Sequence, residues 1–432
     1  MKFFHLSDLH LGKRVNGFSM IEDQKYILQQ ITELADREAP DAVIIAGDVY
    51  DKSIPSVEAV NLFDDFLVSL AQRNLQVFVI SGNHDSAERI SYGGRVMEQS
   101  GIHISRRIIG GGSTSSSGSG EYSGSDGFAS FENPAENLSA SSLSASSLSV
   151  SSSSGGTDPG KISIVRLEDK YGALYVYLIP YIHPSVVRAA WPEETVGSWT
   201  EAMEVLLRHA DIDPEARNIA VAHQYVTADG VRPEESDSEQ KHIGGLDNVE
   251  YSVFDAFDYV ALGHLHGPQH IGRPTVRYAG SPLKYSFSEE NQKKSVAVVE
   301  IREKGDVGIS QLPLSALRDL RTLRGTFDEL MSPEYTAALS KEDYYRVILT
   351  DEQDVDHAVS RLRKYFYTNL MELDYDNART RAQGVTDALE EAIEKEPAEV
   401  LEELFLKQNG KAMSDFQKDL AARLIDEIWN TT

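Results

Sequence analysis

The chain has 432 residues, 41% of them hydrophobic, no cysteine and a formal net charge of -27. That length exceeds one average domain and gives an expectation of two or three, with a substantial core. The missing cysteines exclude disulfides, a zinc knuckle and a thiol nucleophile, and the acidity argues against unaided binding to a nucleic-acid backbone.

In chain order, five apolar runs read as strands: Lys2 to Leu6, Ala42 to Ala46, Gln76 to Ile80, Asn218 to Ala222 and Asp258 to Leu262. Between the first three lie helical patterns. Ile27, Ile31 and Leu34 recur at helical spacing within about Ser19 to Ala39, and Val60, Phe63, Leu67 and Leu70 do so in the next helix. Alternation of this kind implies a sheet covered by helices. From 110 to 160 the composition turns to Ser and Gly, with too little apolar surface to offset chain entropy, so a disordered insertion is expected. Lys161 to Leu167 and Ala173 to Ile182 read as strands joined around Tyr171-Gly172. Within 315–380, Tyr344 to Thr350 reads as a strand, Val355 to Tyr365 as a helix and Leu370 to Tyr375 as a strand, a βαβ unit. The last stretch, 385–432, is acidic and helical. There Gly410 suits a helix stop, Ser414 with Gln417 forms a capping box, and Leu420, Leu424, Ile425 and Ile428 make one apolar face. No apolar run approaches the roughly 20 residues of a membrane helix, so a soluble, cytoplasmic protein without a membrane partner is expected.

The strand ends carry the chemistry. Asp8-Leu9-His10, Gly47-Asp48-Val49-Tyr50-Asp51, Gly82-Asn83-His84-Asp85, Ala222-His223 and Gly263-His264-Leu265-His266 each follow one of the five strands, and Gly280-Ser281-Pro282 closes the series. Imidazoles, carboxylates and an amide oxygen on such turns can converge on divalent cations, and strand ends are where open α/β sheets place their sites. A lone D-x-H or H-x-H is weak, but the ordered set spells a two-metal hydrolase.

The set resembles the calcineurin-like metallophosphoesterases. Further stretches, HLSDLHLGK (5–13), GDVYDKSIPS (47–56), GNHDSAERI (82–90), DSEQKHIGG (237–245), DYVALGHLHGPQ (258–269) and YAGSPLKYSFSE (278–289), resemble the SbcD family, the nuclease subunits of SbcCD complexes. The Gly-Ser-Pro segment and the Ser-Phe-Ser-Glu after it are not needed to hold metals, and they separate the nuclease branch from generic phosphatases. The resemblance implies an α/β (α+β) sandwich of two sheets flanked by helices over 1–302, a βαβ DNA-capping domain over 315–380, and C-terminal helices over 385–432 that dock on an ATPase subunit of SbcC type.

Carried over residue by residue, the family pattern gives Asp8, His10, Asp48 and His266 to a first ion, and Asp48, Asn83, His223 and His264 to a second. Asp48 bridges a pair roughly 3.5 to 4 Å apart. Nitrogen and oxygen ligands with no thiolate fit manganese, iron or zinc, and the resemblance favours manganese. His84 is expected to donate a hydrogen bond or proton toward phosphate and leaving oxygen, with Asp51 orienting it and Asp85 as the competing orienter. The implied activity is a 3′ to 5′ double-strand exonuclease and single-strand or hairpin endonuclease, working as a homodimer with SbcC in DNA repair and recombination. The alternative is a small-molecule or protein phosphoesterase with the same metals.

Lys13, Arg14, Lys52 and Arg89, near the ligand loops, are the candidates for phosphate contact, each about as well explained as an ordinary surface charge. The acidity implies that a partner supplies most DNA backbone contacts. His5, in the first strand, is expected to be packed or hydrogen-bonded, as are His103, His183, His209, His242, His270 and His357 where they are not simply exposed. Tyr50 reads equally as packing or substrate-facing.

Overall fold

The computed structural model describes residues 1–108, 151–152, 162–239, 247–353, 355–366, 369–378, 380 and a few positions between 401 and 421. The insertion expected at 110–160, apart from Ser151–Ser152, which pair as a short strand where disorder was expected, lies outside the described residues, as do 240–245 of DSEQKHIGG and Gly410, Leu424, Ile425 and Ile428.

The first sheet is built from β1 (Lys2–Leu6), β2 (Ala42–Ala46), β3 (Gln76–Ile80) and β4 (Ile102–Ile104), joined by β12 (Ser295–Ile301) and β13 (Val307–Pro313) in the order β13-β12-β1-β2-β3-β4. The second holds β5 (Ser151–Ser152), β6 (Ser163–Asp169), β7 (Gly172–Ile179), β8 (Arg217–His223), β9 (Tyr259–Gly263), β10 (Gln269–Ile271) and β11 (Arg273–Tyr278), ordered β10-β11-β9-β8-β7-β6-β5. β1, β2, β3 and β4 run parallel, as do β7, β8, β9 and β11. The expected strand pair around Tyr171-Gly172 is the antiparallel β6–β7 hairpin, closing on Asp169 opposite Gly172.

Side chains alternate across each strand. Phe3, Ile44, Phe78 and Ile80 of the first sheet meet Val176, Ile219, Val221 and Tyr259 of the second in the core between sheets. Phe4, Leu6, Val43 and Ile45 point the other way, onto α1 (Ile21–Glu38) and α2 (Val57–Ala71). Ile27, Leu28, Ile31 and Leu34 form the buried stripe of α1, and Ser56 caps α2 by accepting the Ala59 N–H at 3.2 Å. On the far side, α3 (Pro184–Ala190) and α4 (Trp199–Arg208) cover the second sheet through Val187, Met203 and Leu206. The two large sheets and their helices therefore make a four-layer sandwich, helices outside and sheets within.

A clamp at one end joins the two sheets. Arg217, at the start of β8, donates to Asp169 Oδ1 at 2.6 Å and to the Arg302 carbonyl at 2.8 Å, while the Met1 ammonium meets Asp169 Oδ2 at 2.9 Å. Replacing Arg217 with Met leaves Asp169 with the Met1 ammonium and the Tyr171 N–H, and removes the donor to the part-buried carbonyls of Gly172, Ala173 and Arg302. An expected loss of ~3 kcal/mol is measurable by denaturant unfolding.

The third sheet, β14 (Leu320–Gly325), β15 (Tyr344–Leu349) and β16 (Leu370–Tyr375), is wholly parallel. The βαβ pattern accounts for β15, α5 (Ala358–Phe366) and β16, and β14 adds one strand that sequence reasoning overlooked. Only Leu320 and Leu323 of β14 are buried; a three-residue spacing does not read as a strand. One face of this sheet packs on α5, and Leu320, Tyr344 and Met371 pack with Val15, Met20 and Tyr285 of the sandwich region. Near the C-terminus, Gln417 N–H donates to Ser414 Oγ at 3.4 Å and the Ser414 N–H donates to Gln417 Oε1 at 2.9 Å, the reciprocal exchange of a capping box. No helix among the described residues is long and apolar enough to cross a membrane.

Candidate metal centre

The carboxyl ends of β1, β2, β3, β8 and β9 open onto one place, and the backbone there turns sharply. Asp8, His10 and Asp48 hold φ at 52°, 44° and 46°, and His264 at 113°. Non-glycine residues seldom adopt such values, and they persist where neighbouring structure over-determines them. The neighbours are the other ligand loops. Asp8 N–H donates to Gly47 O at 3.1 Å and His10 N–H to Asp48 O at 2.9 Å. Asp8 Oδ1 accepts the His264 N–H at 3.0 Å, and Asp48 Oδ1 accepts the His84 N–H at 2.9 Å. Two glycines are set by close approach: a Cβ on Gly82 would lie 2.2 Å from Asp48 Oδ1, and one on Gly263 would lie 1.8 Å from Ala46 O.

The side chains converge accordingly. Asp48 Oδ2 lies 3.6 Å from His10 Nε2 and 3.4 Å from His223 Nε2, between the two groups. On one side His10 Nε2 and His266 Nε2 are 3.1 Å apart; on the other, Asn83 Oδ1 is 3.0 Å from His223 Nε2 and 3.2 Å from His264 Nδ1. Three groups among the described residues have the spacing to share an ion: Asp8, His10 and His266; Asp8, Asp48 and His223; and His10, Asp48 and His84. Thus the seven residues expected to hold metal meet in one cluster, from chain positions 8 to 266.

The donor chemistry fits divalent cations. His223 Nδ1 lies 2.8 Å from the Ala46 carbonyl, so it is the protonated nitrogen. Its Nε2 then presents a lone pair to the Asn83 oxygen, an acceptor facing an acceptor, a gap that only a proton or a cation can bridge. Burial pushes the His223 imidazole down, but the Asp48 carboxylate beside it more than reverses this, to about 9. Asp8 is pushed up to about 7, first by burial and then by the Asp48 charge, while the His223 charge opposes the rise. Burial also opposes charge on Asp48, yet His223, His10 and His84 hold its carboxyl well below the usual range. Two buried carboxylates sharing a pocket with imidazoles, and among the described residues with no Lys or Arg paired to either, are what a doubly charged cation stabilises. Asp8, His10, His266 and Asp48 would hold one ion, and Asp48, Asn83, His223 and His264 the other. Such a pair lowers the pKa of bound water and neutralises charge on a phosphoryl group.

His84 borders this cluster, half-buried, its ring 4.9 Å from that of His10. Its Nδ1 is 2.9 Å from Asp51 O, so Asp51 meets it through the main-chain carbonyl. The Asp51 carboxylate instead accepts from Lys13 Nζ at 3.0 Å. Asp85 serves the backbone, because its carboxylate accepts the N–H groups of Tyr50 and Gly82 at 2.9 Å and of Val49 at 3.1 Å, tying the β2 and β3 loops together. Of the four basic candidates, Lys13 stands at the cluster, over the Tyr285 ring. Arg14, Lys52 and Arg89 are exposed, and Arg14 and Arg89 bond the carbonyls of Gly17 and Ser53.

The other histidines are structural or exposed. His5 meets the Tyr259 hydroxyl at 2.9 Å between the sheets, and burial lowers it to about 3. His103 bonds Gln76, His183 caps α3, His209 stacks on Trp191, and His270 and His357 are exposed. His242 lies outside the described residues. Tyr50 is buried against Phe63, the packing alternative. Sequence reasoning missed Glu289 and Lys294, charged residues buried behind His266, and the half-buried Glu239 beside them. The available signal was the surplus motifs 237–245 and 278–289.

Residues 1–268, well over half the chain, match the model of the calcineurin-like phosphoesterase family. The chain belongs to that family. Beyond the phosphoesterase region, residues 316–409 match the family described as type 5 capsule protein repressor C-terminal domain. The chain is similar to the D subunit of the nuclease SbcCD of Staphylococcus epidermidis, 28% identical over 435 residues that cover 99% of each protein. Among solved structures it has a likeness to TT1561 of Thermus thermophilus, 10% identical, with a TM-score of 0.35 and covering 72% of this chain and 98% of that one; a score so low carries no argument.

Proposed function

We propose that this phosphoesterase is a DNA nuclease of SbcD type, a 3′ to 5′ exonuclease on duplex ends and an endonuclease on hairpins or single strands, acting with an SbcC-type ATPase in DNA repair and recombination. The observation that carries the reading is the pairing of a complete two-ion donor set with His84 at its edge, in a chain similar along 99% of its length to a nuclease subunit. The N/O donors, with no thiolate, suit manganese, iron or zinc, and manganese is our choice. His84, with Nδ1–H held by the Asp51 carbonyl, keeps Nε2 available to the leaving oxygen; Lys13 is placed to meet a phosphate oxygen.

The third sheet, within 315–380, is proposed as the DNA-capping unit of a chain divided into a 1–302 nuclease domain, that unit and a partner-binding region at 385–432. The net charge of -27 supports dependence on the ATPase for most backbone contacts, and a cytoplasmic location goes with the nuclease reading. A homodimer is supported by an apolar surface in the first half: Val57, Val60 and Val68 on α2, with Ile54, Tyr92 and Val96 nearby, are all exposed.

The test is manganese-dependent release of nucleotides from an end-labelled linear duplex, with a chromogenic phosphomonoester in parallel. Expected is DNA degradation that chelation stops, with little monoester turnover. Monoester turnover without DNA cleavage, persisting after addition of SbcC and ATP, would overturn the proposal in favour of a phosphatase.

A further inference from the structure

Three segments with no ligand among them close around His266. Ser238 Oγ, from the 237–245 motif, lies 2.7 Å from His266 Nδ1 and 2.5 Å from Glu289 Oε1, an oxygen that itself stands 3.5 Å from His266 Nδ1, so the short path between the two runs through the hydroxyl. Glu289, the last residue of Ser-Phe-Ser-Glu, is fully buried; its Oε2 accepts from Lys294 Nζ at 2.6 Å. Lys294, also buried, reaches Ser281 Oγ of the Gly-Ser-Pro turn at 2.9 Å and the His266 carbonyl at 2.9 Å. Glu239 accepts the His266 N–H at 2.6 Å.

The donors and acceptors run in one direction. Lys294 can only donate, so Glu289 is held as a carboxylate that can only accept. The Ser238 hydroxyl must then give its hydrogen to Glu289, which leaves its oxygen to accept. His266 Nδ1 must therefore carry the proton, and Nε2, 3.1 Å from His10 Nε2, must carry the lone pair. His223 reaches the same tautomer through one carbonyl; His266 uses a chain of three side chains. Burying Glu289 and Lys294 is costly unless they are paired, and pairing alone would not require Ser238 or the contacts with His266.

We propose that Glu289, anchored by Lys294 and acting through Ser238, is a positioning residue that fixes the His266 ring and so sets affinity for the ion shared by Asp8, His10 and His266. The proposal rests on the two-ion reading of the centre. Outer partners of this kind are commonly worth about 10- to 100-fold in metal affinity.

The full-length chain, depleted of metal, is titrated with Mn2+ alone and followed by electron paramagnetic resonance, which separates isolated ions from a spin-coupled pair. Wild type is expected to bind two ions and develop the coupled signal. Ser238→Ala cuts the chain while keeping the Glu289–Lys294 pair, and Glu289→Gln removes the fixed acceptor. In both, one of the two affinities is expected to fall about 10- to 100-fold, so that the isolated-ion signal persists where wild type is already coupled. The melting temperature of metal-free Ser238→Ala should match wild type, and Ser238→Thr should restore coupling, which a loss of packing would not allow. If Glu289→Gln does not fold, Ser238→Ala decides. Two ions bound with wild-type affinity and coupling in Ser238→Ala would overturn the proposal; a wild-type chain that never binds a second ion would overturn the two-ion reading beneath it.

Discussion

Asp48→Asn is expected to take DNA hydrolysis to background while the metal-free protein stays folded. The carboxylate stands between His10 and His223, with Oδ2 within 3.6 Å of both, which supports the bridging role proposed for it. An amide keeps the shape and loses the charge. Without that charge, the field that raises Asp8 weakens, and so does the field that keeps His223 protonated. The apo fold therefore gives up a crowded pair of carboxylates and gains a neutral neighbour, a change that need not destabilise it. Metal content after dialysis, a thermal melt and the nuclease assay on one preparation check the three parts. Retention of two ions with full activity would remove Asp48 from the bridging role.

His84→Gln is expected to act on a different quantity. His84 touches the cluster from its edge and its Nδ1 is engaged by the Asp51 carbonyl, so both ion positions should fill as in wild type. What disappears is the group proposed to protonate the leaving oxygen, a role typically worth about 10²- to 10⁴-fold in rate. The loss should appear in kcat on duplex ends. A substrate with a good leaving group, which needs no proton, should lose far less. An equal loss on both substrates would assign His84 to binding rather than proton transfer.

The seven residues that converge in the candidate centre were legible because each sits within a few residues of a strand whose own apolar run is readable, so short motifs and local periodicity agreed. Legibility failed where information is nonlocal or masked by chemical type. That β12 returns to lie beside β1, Phe4 opposite Val298, cannot be read from either segment. β14 carries two arginines and one buried pair of leucines, a pattern with no two-residue period. Glu289 and Lys294 look like surface charges in a sequence and prove to be interior. Asp51 was sought for its carboxylate and meets His84 through an oxygen that every residue possesses.

The place of β1 in the first sheet has a consequence for synthesis. Its partner on one side, β2, emerges within the next forty residues, but β12 begins only at Ser295. A ribosome-bound chain thus exposes one hydrogen-bonding edge of β1 until Ser295 and the residues after it have been made, an invitation to pairing with other chains. His264 and His266 also emerge late. A nascent chain has no complete catalytic centre until its phosphoesterase half is nearly finished, so hydrolytic competence arrives abruptly, with the closure of the sandwich.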